Sequence, residues 1–439
     1  MTLATKYRPK SFSEVIGQDH AVVALRNIIK NQKIHNGYIF SGTRGIGKTS
    51  LARLISELLI VDGWTVRWAS CDLDSGPYEI AKMWIGKSAP TNPRAIVSLL
   101  NPTKNILVID EIQAVSKRHI SSVHELISRC CEFGIRTLLI VRAPNPLSNL
   151  ENFQEVRVDG ISPYDSLSIL SPELTEERAL EISESLGGHP LALHLWSPED
   201  KLPEKGQAVQ EFVENNVLMK ISSIAKESLD ELSISPLPLE IKEISNEEGI
   251  IELDESAILR WKSSQFEPHH LIKNVRKAQF DEVQIRNLHS KQMKKWSAIE
   301  GDRARRMEVY HSLKSSTPSE EWLIENITLV FKSNSTSAAI LVEEALTEYE
   351  SEKLRELAAE IALERGEVNV AKKHVDSLSS GSMKDLLFSR IHRIQGDSQK
   401  ASELEKKAIR SLNYSDRVRA QISSLVREFD DHLPGYIDK

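Results

Sequence analysis

The sequence has few cysteines and no long apolar run. Its only cysteines among 439 residues are Cys71, Cys130 and Cys131, and none belongs to a CxxC pair. Neither a disulfide framework nor a structural zinc site is therefore predicted. No stretch approaches the ~20 apolar residues that span a bilayer, and the N-terminal segment lacks the apolar core of a signal peptide. These absences predict a cytoplasmic protein with no membrane-spanning segment.

The chain also lacks an excess of basic charge. Its formal net charge is −7, which argues against a surface that follows nucleic acid over its whole length. Hydrophobic residues make up 40% of the chain and charged residues 27%, and this composition is typical of a folded globular protein. A chain of 439 residues exceeds the size of one hydrophobic core, so two to four domains are expected.

Strand and helix patterns alternate in the first third of the chain. The apolar runs GYIFSG, TVRWAS, NILVID and TLLIV are typical of strands, whereas SLARLISELLI and SSVHELISRCCEF have helical spacing. Strands that alternate with helices form parallel sheets covered on both faces. We therefore expect an α/β core over residues 1–160.

The remainder of the chain is predominantly helical in pattern. TEERALEISESLGGHPLALHLW contains two helical patterns separated by glycines and a proline, which predicts a helical lid over 161–202. Helices followed by the alternating stretches GIIEL and AILRW predict a winged helix with a small hairpin over 203–280. Helix pairs interrupted by Gly, Asn or Ser predict an all-α TPR-like solenoid over 281–439, without one strict period.

One segment between a predicted strand and a predicted helix carries phosphate-binding chemistry. It fits GxxxxGK[ST] and consists of Gly42, Thr43, Arg44, Gly45, Ile46, Gly47, Lys48 and Thr49, followed by Ser50. In such a P-loop, backbone N–H groups surround the phosphates, the lysine reaches the β- and γ-oxygens and the threonine binds Mg²⁺. The segment predicts ATP or ADP with Mg²⁺ as ligands. The alternative is a glycine-rich turn without a ligand.

A second acidic motif follows about sixty residues later. The apolar strand Ile106–Ile109 ends in Asp110 and Glu111, where a carboxylate can meet the metal held by the P-loop. We expect Asp110 to bind Mg²⁺, and Glu111 to polarise the attacking water as general base together with the charge of Lys48. An ordinary solvated carboxylate at a strand end is the alternative for Glu111.

The first fifty residues, TKYRPKSFSEVIGQDH through GTRGIGKTSLARL, resemble the N-terminus of clamp-loader ATPase subunits of the AAA+ superfamily, such as replication factor C and the gamma/tau subunits. The resemblance implies an α/β P-loop NTPase fold and an adenine site formed by Tyr7, Arg8, Pro9, Val15, Ile16 and Gly17. A loader subunit should also carry Ser-Arg-Cys after the strand that follows the acidic motif. Here Ser128, Arg129 and Cys130 lie within the helix before that strand, and the zinc cysteines of bacterial subunits are missing.

The segment after the core instead resembles STAND ATPases, whose helical lid carries a Gly-x-Pro signature. Gly188, His189 and Pro190 match that signature, which implies that Pro190 contacts adenine. The same resemblance implies that Arg142, at the end of TLLIV, senses the γ-phosphate; a surface arginine is the alternative. STAND proteins continue with a winged helix and repeats, in the order predicted from pattern. We assign His189 no chemistry, and prefer a structural role for His269 and His270 over a metal site.

Basic residues concentrate between Arg260 and Lys314, with tryptophan and phenylalanine interleaved. DNA contact is one interpretation of this segment, and a solvated or interdomain helical face is the preferred one. The TPR-like region predicts a protein partner, with nucleotide-dependent oligomerisation as a further expectation.

Three functions compete at this stage. The leading hypothesis is an ATP-hydrolysing AAA+/STAND switch in a signalling or regulatory role, with slow turnover. The second is a clamp-loader-like ATPase associated with DNA replication or repair. The third is a scaffold whose ATP site is purely structural.

Overall fold

The computed structural model describes residues 15, 22, 37–43, 45–90, 92–100, 102–142, 150, 153–170, 173–200, 202, 209–262, 264–316 and 318–411. The chain divides into two compact units, Met1–Lys295 and Trp296–Lys439. The finer boundaries after residues 160, 202 and 280 stay predictions. Among the described residues, no helix is long and apolar enough to cross a membrane.

The first unit contains a five-stranded parallel sheet in the order β2-β3-β4-β1-β5. Its strands are β1 (Gly37–Ser41), β2 (Thr65–Ser70), β3 (Asn105–Asp110), β4 (Arg136–Ile140) and β5 (Phe153–Arg157). The four expected strands are present. The sequence does not predict the fifth, FQEVR, because it pairs with β1 alone as an edge strand and exposes Gln154, Glu155 and Arg157.

Helices cover both faces of the sheet. They are α1 (Lys48–Val61), α2 (Pro77–Ile85), α3 (Pro93–Ser98) and α4 (Ile120–Glu132). Successive side chains of β3 point to opposite faces of the sheet. Leu107 and Ile109 pack in a core with α2 and α4, whereas Ile106 and Val108 pack in a core with α1. A strand that is buried on both faces is apolar on both, which accounts for the continuous apolar run Ile106–Ile109.

Short helices follow the sheet, namely α5 (Pro163–Ser166), α6 (Glu176–Ser185) and α7 (Pro190–Leu195). The turn between α6 and α7 is anchored by Gly188, whose carbonyl accepts a hydrogen bond of 2.8 Å from the amide of Ile161. Gly188 has φ 62°, and a Cβ there would lie 1.9 Å from the carbonyl oxygen of Ile161. Only glycine fits this contact.

A winged-helix arrangement ends the first unit. The chain passes through α8 (Val209–Phe212), a π-helical stretch (Val213–Val217) and α9 (Leu218–Lys220). It continues with α10 (Ser223–Ile234), β6 (Leu239–Glu240), α11 (Glu247–Glu255), β7 (Leu259–Lys262), β8 (Gln265–Pro268), α12 (His270–Ala278) and α13 (Glu282–Ser297). Strands β6, β8 and β7 form a small antiparallel sheet.

The expected hairpin of GIIEL with AILRW is wrong in its first strand. GIIEL lies within helix α11, where Asn246 caps the N-terminus and Glu247 and Glu248 occupy the first turn. Ile250 and Leu253 are buried at a helical spacing of three. The alternation that suggested a strand therefore came from a short helix, and the hairpin is formed by β7 and β8.

The second unit consists of helices in its described part. They are α14 (Asp302–Ser315), α15 (Glu320–Ser333), α16 (Ser335–Glu348), α17 (Glu352–Glu364), α18 (Val368–Asp376), α19 (Ser382–Ile394) and α20 (Ser398–Ser411). The predicted helical solenoid is confirmed. Its repeat is visible in the contacts, since Ser351 Oγ bonds Glu320 31 residues earlier and Ser379 Oγ bonds Glu352 27 residues earlier.

Candidate nucleotide site

The P-loop connects β1 to α1 and is folded around its lysine. Gly42, Gly45 and Gly47 have φ values of 146°, 74° and 89°, which other residues adopt with strain. Lys48 is 8% exposed, and its Nζ donates hydrogen bonds to the carbonyls of Gly42 (2.9 Å) and Thr43 (2.5 Å). The amides at the N-terminus of α1 make a site for anions at the same place.

The lid packs directly on the P-loop. A Cβ at Gly45 would lie 2.6 Å from Cε1 of His189 and 3.4 Å from Cβ of Leu191. His189 caps α7, since its Nδ1 accepts a hydrogen bond of 3.3 Å from the amide of Ala192. This bond requires the proton of a neutral ring to be on Nε2. Gly45 is therefore needed both for its backbone conformation and for this close approach.

A hydroxyl and a buried carboxylate converge behind the P-loop. Thr49 Oγ1 lies 3.3 and 3.2 Å from the two carboxylate oxygens of Asp110, which is 4% exposed. Burial and the neighbouring charge of Glu111 raise the pKa of Asp110 to about 6. A cation would favour its charged form.

These two residues fit Mg²⁺ in the manner of nucleotide sites. Mg²⁺ usually binds through one or two protein oxygens together with phosphates and water, rather than in an all-protein cage. No group of three or more His, Cys, Asp or Glu side chains in the described part of the chain is arranged to hold a metal ion.

Glu111 lies at the start of a short 3₁₀ turn (Ile112–Ala114) with φ 59° and ψ 35°, a left-handed conformation that is rare for glutamate. Such strain is typical of functional positions. Its Oε2 accepts hydrogen bonds from Arg142 Nη2 (2.6 Å) and Gln113 Nε2 (2.5 Å), and its Oε1 accepts one from Arg260 Nη1 (2.9 Å). Two cationic donors and one neutral amide donor therefore contact the Glu111 carboxylate.

These neighbours change the protonation behaviour of the site. Burial by itself raises the pKa of Glu111, but the hydrogen bond with His270 and the charges of Arg260 and Arg142 outweigh it and hold that pKa well below its usual range. Burial, followed by the charge of Arg260, lowers the pKa of His269 to about 4, and burial also lowers that of His270 to about 4. Both histidines are therefore neutral at pH 7, and Glu111 is ionised.

The P-loop, the two acids after β3 and Arg142 line a common cavity of about 320 Å³. It brings together eight of the predicted site residues, namely Gly45, Gly47, Lys48, Thr49, Ser50, Asp110, Glu111 and Arg142. The opposite wall comes from the winged helix and consists of Arg260, Trp261, Lys262, His269, His270 and Leu271. Arg53 of α1 and Leu191 of the lid also line it.

The other predicted site residues lie elsewhere or outside the described residues. Gly42, Thr43 and Ile46 belong to the P-loop but do not line the cavity, and Pro190 begins α7 beside the lining residue Leu191. Val15 packs against the core on the α1 face of the sheet. Tyr7, Arg8, Pro9, Ile16, Gly17 and Arg44 fall outside the described residues.

The leading hypothesis holds the nucleotide between the core, the lid and the winged helix, but sequence interpretation did not identify the winged-helix residues that line this cavity. The sequence places Arg260 and Lys262 in a basic segment and gives His269 and His270 a structural role, because no spacing rule connects them with Glu111, which is 149 residues from Arg260. Arg129 is placed as expected within α4. It pairs with Glu125 one turn earlier at 2.7 Å.

The sheet order, the P-loop and the paired acids define a P-loop nucleotide-binding domain. Residues 38–151 match the family model described as ATPase family associated with various cellular activities (AAA). The chain therefore contains an AAA domain of the P-loop ATPase class.

Two kinds of relative share parts of this chain. It is 54% identical over 55 residues to DNA polymerase III subunit tau/gamma of Haemophilus influenzae and 53% identical over 55 residues to subunit tau of Escherichia coli. These matches span 12% of this chain and only 8% and 9% of those proteins.

The fold of nearly the whole chain is similar to that of a signal transduction ATPase with numerous domains (STAND) protein with a tetratricopeptide repeat sensor from Pyrococcus horikoshii. The TM-score is 0.58 at 17% identity, over 90% of this chain and 64% of that one. At this identity the match establishes a shared fold.

Proposed function

We propose that this protein is an ATP-binding and slowly ATP-hydrolysing switch, in which the bound nucleotide controls the lid and the winged helix. The observation that carries the proposal is the shared cavity, lined by Lys48, Thr49 and Asp110 on one side and by Arg260 and His270 on the other. A ligand that contacts both sides favours the docked arrangement and shifts the population toward it.

The roles of the residues follow from their positions. Backbone amides of Gly42–Ser50 and Nζ of Lys48 would bind phosphates, and Thr49 and Asp110 would hold Mg²⁺, which supplies charge neutralisation on the phosphates. Glu111 would accept a proton from the attacking water, and Arg142 would sense the γ-phosphate. Pro190 and the segment around Tyr7–Gly17 would contact adenine.

The signalling part of the proposal concerns the helical repeats. The Pyrococcus horikoshii protein of similar fold is named as a signal transduction ATPase with a tetratricopeptide repeat sensor. Stacked helix pairs present extended surfaces that bind proteins. By analogy, the C-terminal repeats of this chain would bind a protein partner, and nucleotide would control that binding or the assembly of several copies.

The direct test measures nucleotide binding, hydrolysis and conformation in the full-length chain. We expect ADP and Mg²⁺-ATP to bind at the P-loop, and ADP to protect amides of the lid and of β7–β8 from hydrogen exchange. Protection confined to the P-loop would refute the switch. No binding of either nucleotide would refute the whole proposal.

A clamp-loader-like ATPase in DNA replication or repair is the second candidate, favoured by the 54% identity over 55 residues to a tau/gamma subunit. The position of Ser128-Arg129-Cys130 argues against it, because this segment lies within helix α4 rather than after β4, and Arg129 pairs with Glu125 there. The basic segment offers limited support for DNA contact, since Arg276 pairs with Asp230 and Lys295 with Glu231. ATPase stimulation by DNA and a sliding clamp would favour the loader, and its absence the switch.

A further inference from the structure

Both oxygens of the Glu111 carboxylate are hydrogen bonded to cationic side chains. Arg142 Nη2 lies 2.6 Å from Oε2 and Arg260 Nη1 lies 2.9 Å from Oε1, while the side chain is 13% exposed. A general base needs an oxygen directed at the water whose proton it accepts. In this arrangement Glu111 is directed at two guanidinium groups instead, and its Oε2 also lies 2.5 Å from Gln113 Nε2 and 3.4 Å from His270 Nε2.

The two arginines reach Glu111 from different parts of the first unit. Arg142 follows β4 in the same sheet as Glu111, so it stays near the carboxylate whatever the winged helix does. Arg260 lies on β7 of the winged helix, 149 residues from Glu111 along the chain. If the winged helix moves away from the sheet, the hydrogen bond from Arg260 must break together with the 3.4 Å approach of His270 to Oε2, whereas the bond from Arg142 can remain.

Arg260 is held in place by its cross-strand neighbour. Arg260 and Glu267 are directly paired in the register of β7 and β8, and Glu267 Oε1 accepts hydrogen bonds from Nε (3.1 Å) and Nη2 (2.7 Å) of Arg260. Two bonds to one oxygen fix the guanidinium and leave Nη1 for Glu111. The 10% exposure of the Glu267 side chain limits competition from water.

We propose that Arg260, oriented by Glu267, is the positioning residue through which the docked winged helix suppresses hydrolysis by holding Glu111 away from its water. This regulation rests on the function proposed above. A Glu111 side chain that turns toward a water loses its bond to Arg260, so hydrolysis and full docking of β7 are mutually exclusive. Each release of the winged helix would permit turnover.

The test is Arg260→Met in the full-length protein, which keeps the length of the side chain and removes its charge. We expect kcat for Mg²⁺-ATP, measured in single-turnover assays that resolve slow rates, to rise roughly ten-fold or more, the scale of one charge-assisted hydrogen bond. The rise in kcat should exceed any change in KM, because Lys48, Thr49 and Asp110 are still in place to bind the phosphates and Mg²⁺ when Arg260 is replaced.

Matched variants make the result specific. Arg276→Met removes another arginine–carboxylate pair of the winged helix, the one with Asp230 at 2.5 Å, and should leave kcat within two-fold of the unmodified protein. Glu267→Gln should give an intermediate rise, because Arg260 is less firmly held, and it replaces Arg260→Met should that variant fail to fold. Arg260→Met combined with Glu111→Gln should return turnover to background.

The failures of the two proposals are distinguishable. Nucleotide binding with an unchanged or lower kcat in both Arg260→Met and Glu267→Gln would overturn the clamp while leaving the switch intact. No nucleotide binding by the unmodified protein would overturn the proposed function itself. An equal rise in Arg276→Met would show that general loosening of the winged helix, rather than the Arg260 contact, controls the rate.

Discussion

The two units of this chain use long-range contacts in opposite ways. In the first unit, the P-loop, the acids after β3, Arg142 and the winged helix converge on one cavity, with partners as far apart as the 149 residues between Glu111 and Arg260. In the second unit, contacts recur at nearly constant separation, 31 residues for Ser351 with Glu320 and 31 for His374 with Glu343. The first unit builds one site, and the second builds a series of similar interfaces.

This difference has energetic consequences. A site assembled from many distant parts loses its function when one contributor is removed, even if the fold survives. In a stack of helix pairs, each pair contacts its neighbours, so stability is approximately a sum of local terms. Substitutions in the first unit should therefore abolish an activity, whereas substitutions in the second should weaken a local region.

The largest effect is expected for Lys48→Ala. Removal of the amine that now contacts Gly42 and Thr43 deletes the positive charge available to the phosphates, and affinity for Mg²⁺-ATP should fall by about 100-fold. Calorimetry or a fluorescent ATP analogue would measure it. The control is Lys87→Ala, at an exposed lysine in the same unit. Undiminished affinity in Lys48→Ala would show that the cavity is not the nucleotide site.

Glu111→Gln should separate chemistry from binding. The amide keeps the size of the side chain but cannot accept a proton, so hydrolysis should fall by about 100-fold. Affinity for Mg²⁺-ATP should stay within about three-fold, because Asp110 and Thr49 remain. A parallel loss of binding would instead identify Glu111 as a metal ligand or a structural residue.

Leu354→Ala probes the second unit. Leu354 is fully buried in the cluster that includes Val309, Leu323 and Ile327, so its truncation should cost about 2–5 kcal/mol of the stability of that unit. Urea unfolding with hydrogen exchange would locate the loss, and Lys353→Ala is the exposed control. Nucleotide affinity should not change. A parallel fall in affinity would mean that the two units are energetically one.

Sequence patterns were sufficient where a local rule applies. The P-loop has its motif between a strand and a helix, and the centre of β3, Ile106–Ile109, is continuously apolar because helices cover both faces of the sheet. Sequence patterns failed where two local signals conflict, and where a strand is too exposed to show a pattern. GIIEL alternates like a strand over five residues, yet Asn246 and two glutamates start a helix there. The edge strand FQEVR has too little burial to show a pattern.

Of the residues that line the cavity, the sequence predicts those on the side of the P-loop and the parallel sheet. Glycine spacing and two acids after an apolar run point to Lys48, Thr49 and Asp110, because neighbours in sequence form these features. Arg260 reaches Glu111 only after the whole winged helix has packed, and no periodicity encodes a contact of that kind. The signal that could have found this contact is the facing pair Arg260 and Glu267, which becomes visible once β7 and β8 are recognised as the two strands of the hairpin.

The smallest effect is expected for Ser351→Ala. This variant tests most directly whether the second unit consists of local interfaces, in contrast to the single site of the first unit. Ser351 caps α17, since its Oγ accepts a hydrogen bond of 3.0 Å from the amide of Leu354 and donates one of 2.7 Å to Glu320 of the preceding helix pair. Loss of a cap costs about 1 kcal/mol.

If the second unit behaves as a row of local interfaces, this loss should raise hydrogen exchange in α17 and at its boundary with α15, and leave α19 and α20 unchanged. Ser333→Ala is the control, because Ser333 ends α15 without capping a helix N-terminus.

A double-mutant cycle of Ser351→Ala with Glu320→Gln should give a coupling energy of roughly 0.5–1 kcal/mol, since Ser351 and Glu320 share one hydrogen bond. Equal destabilisation of every helix from α14 to α20 would show that the repeats unfold as a single cooperative body, and the contrast with the first unit would then concern contact spacing alone.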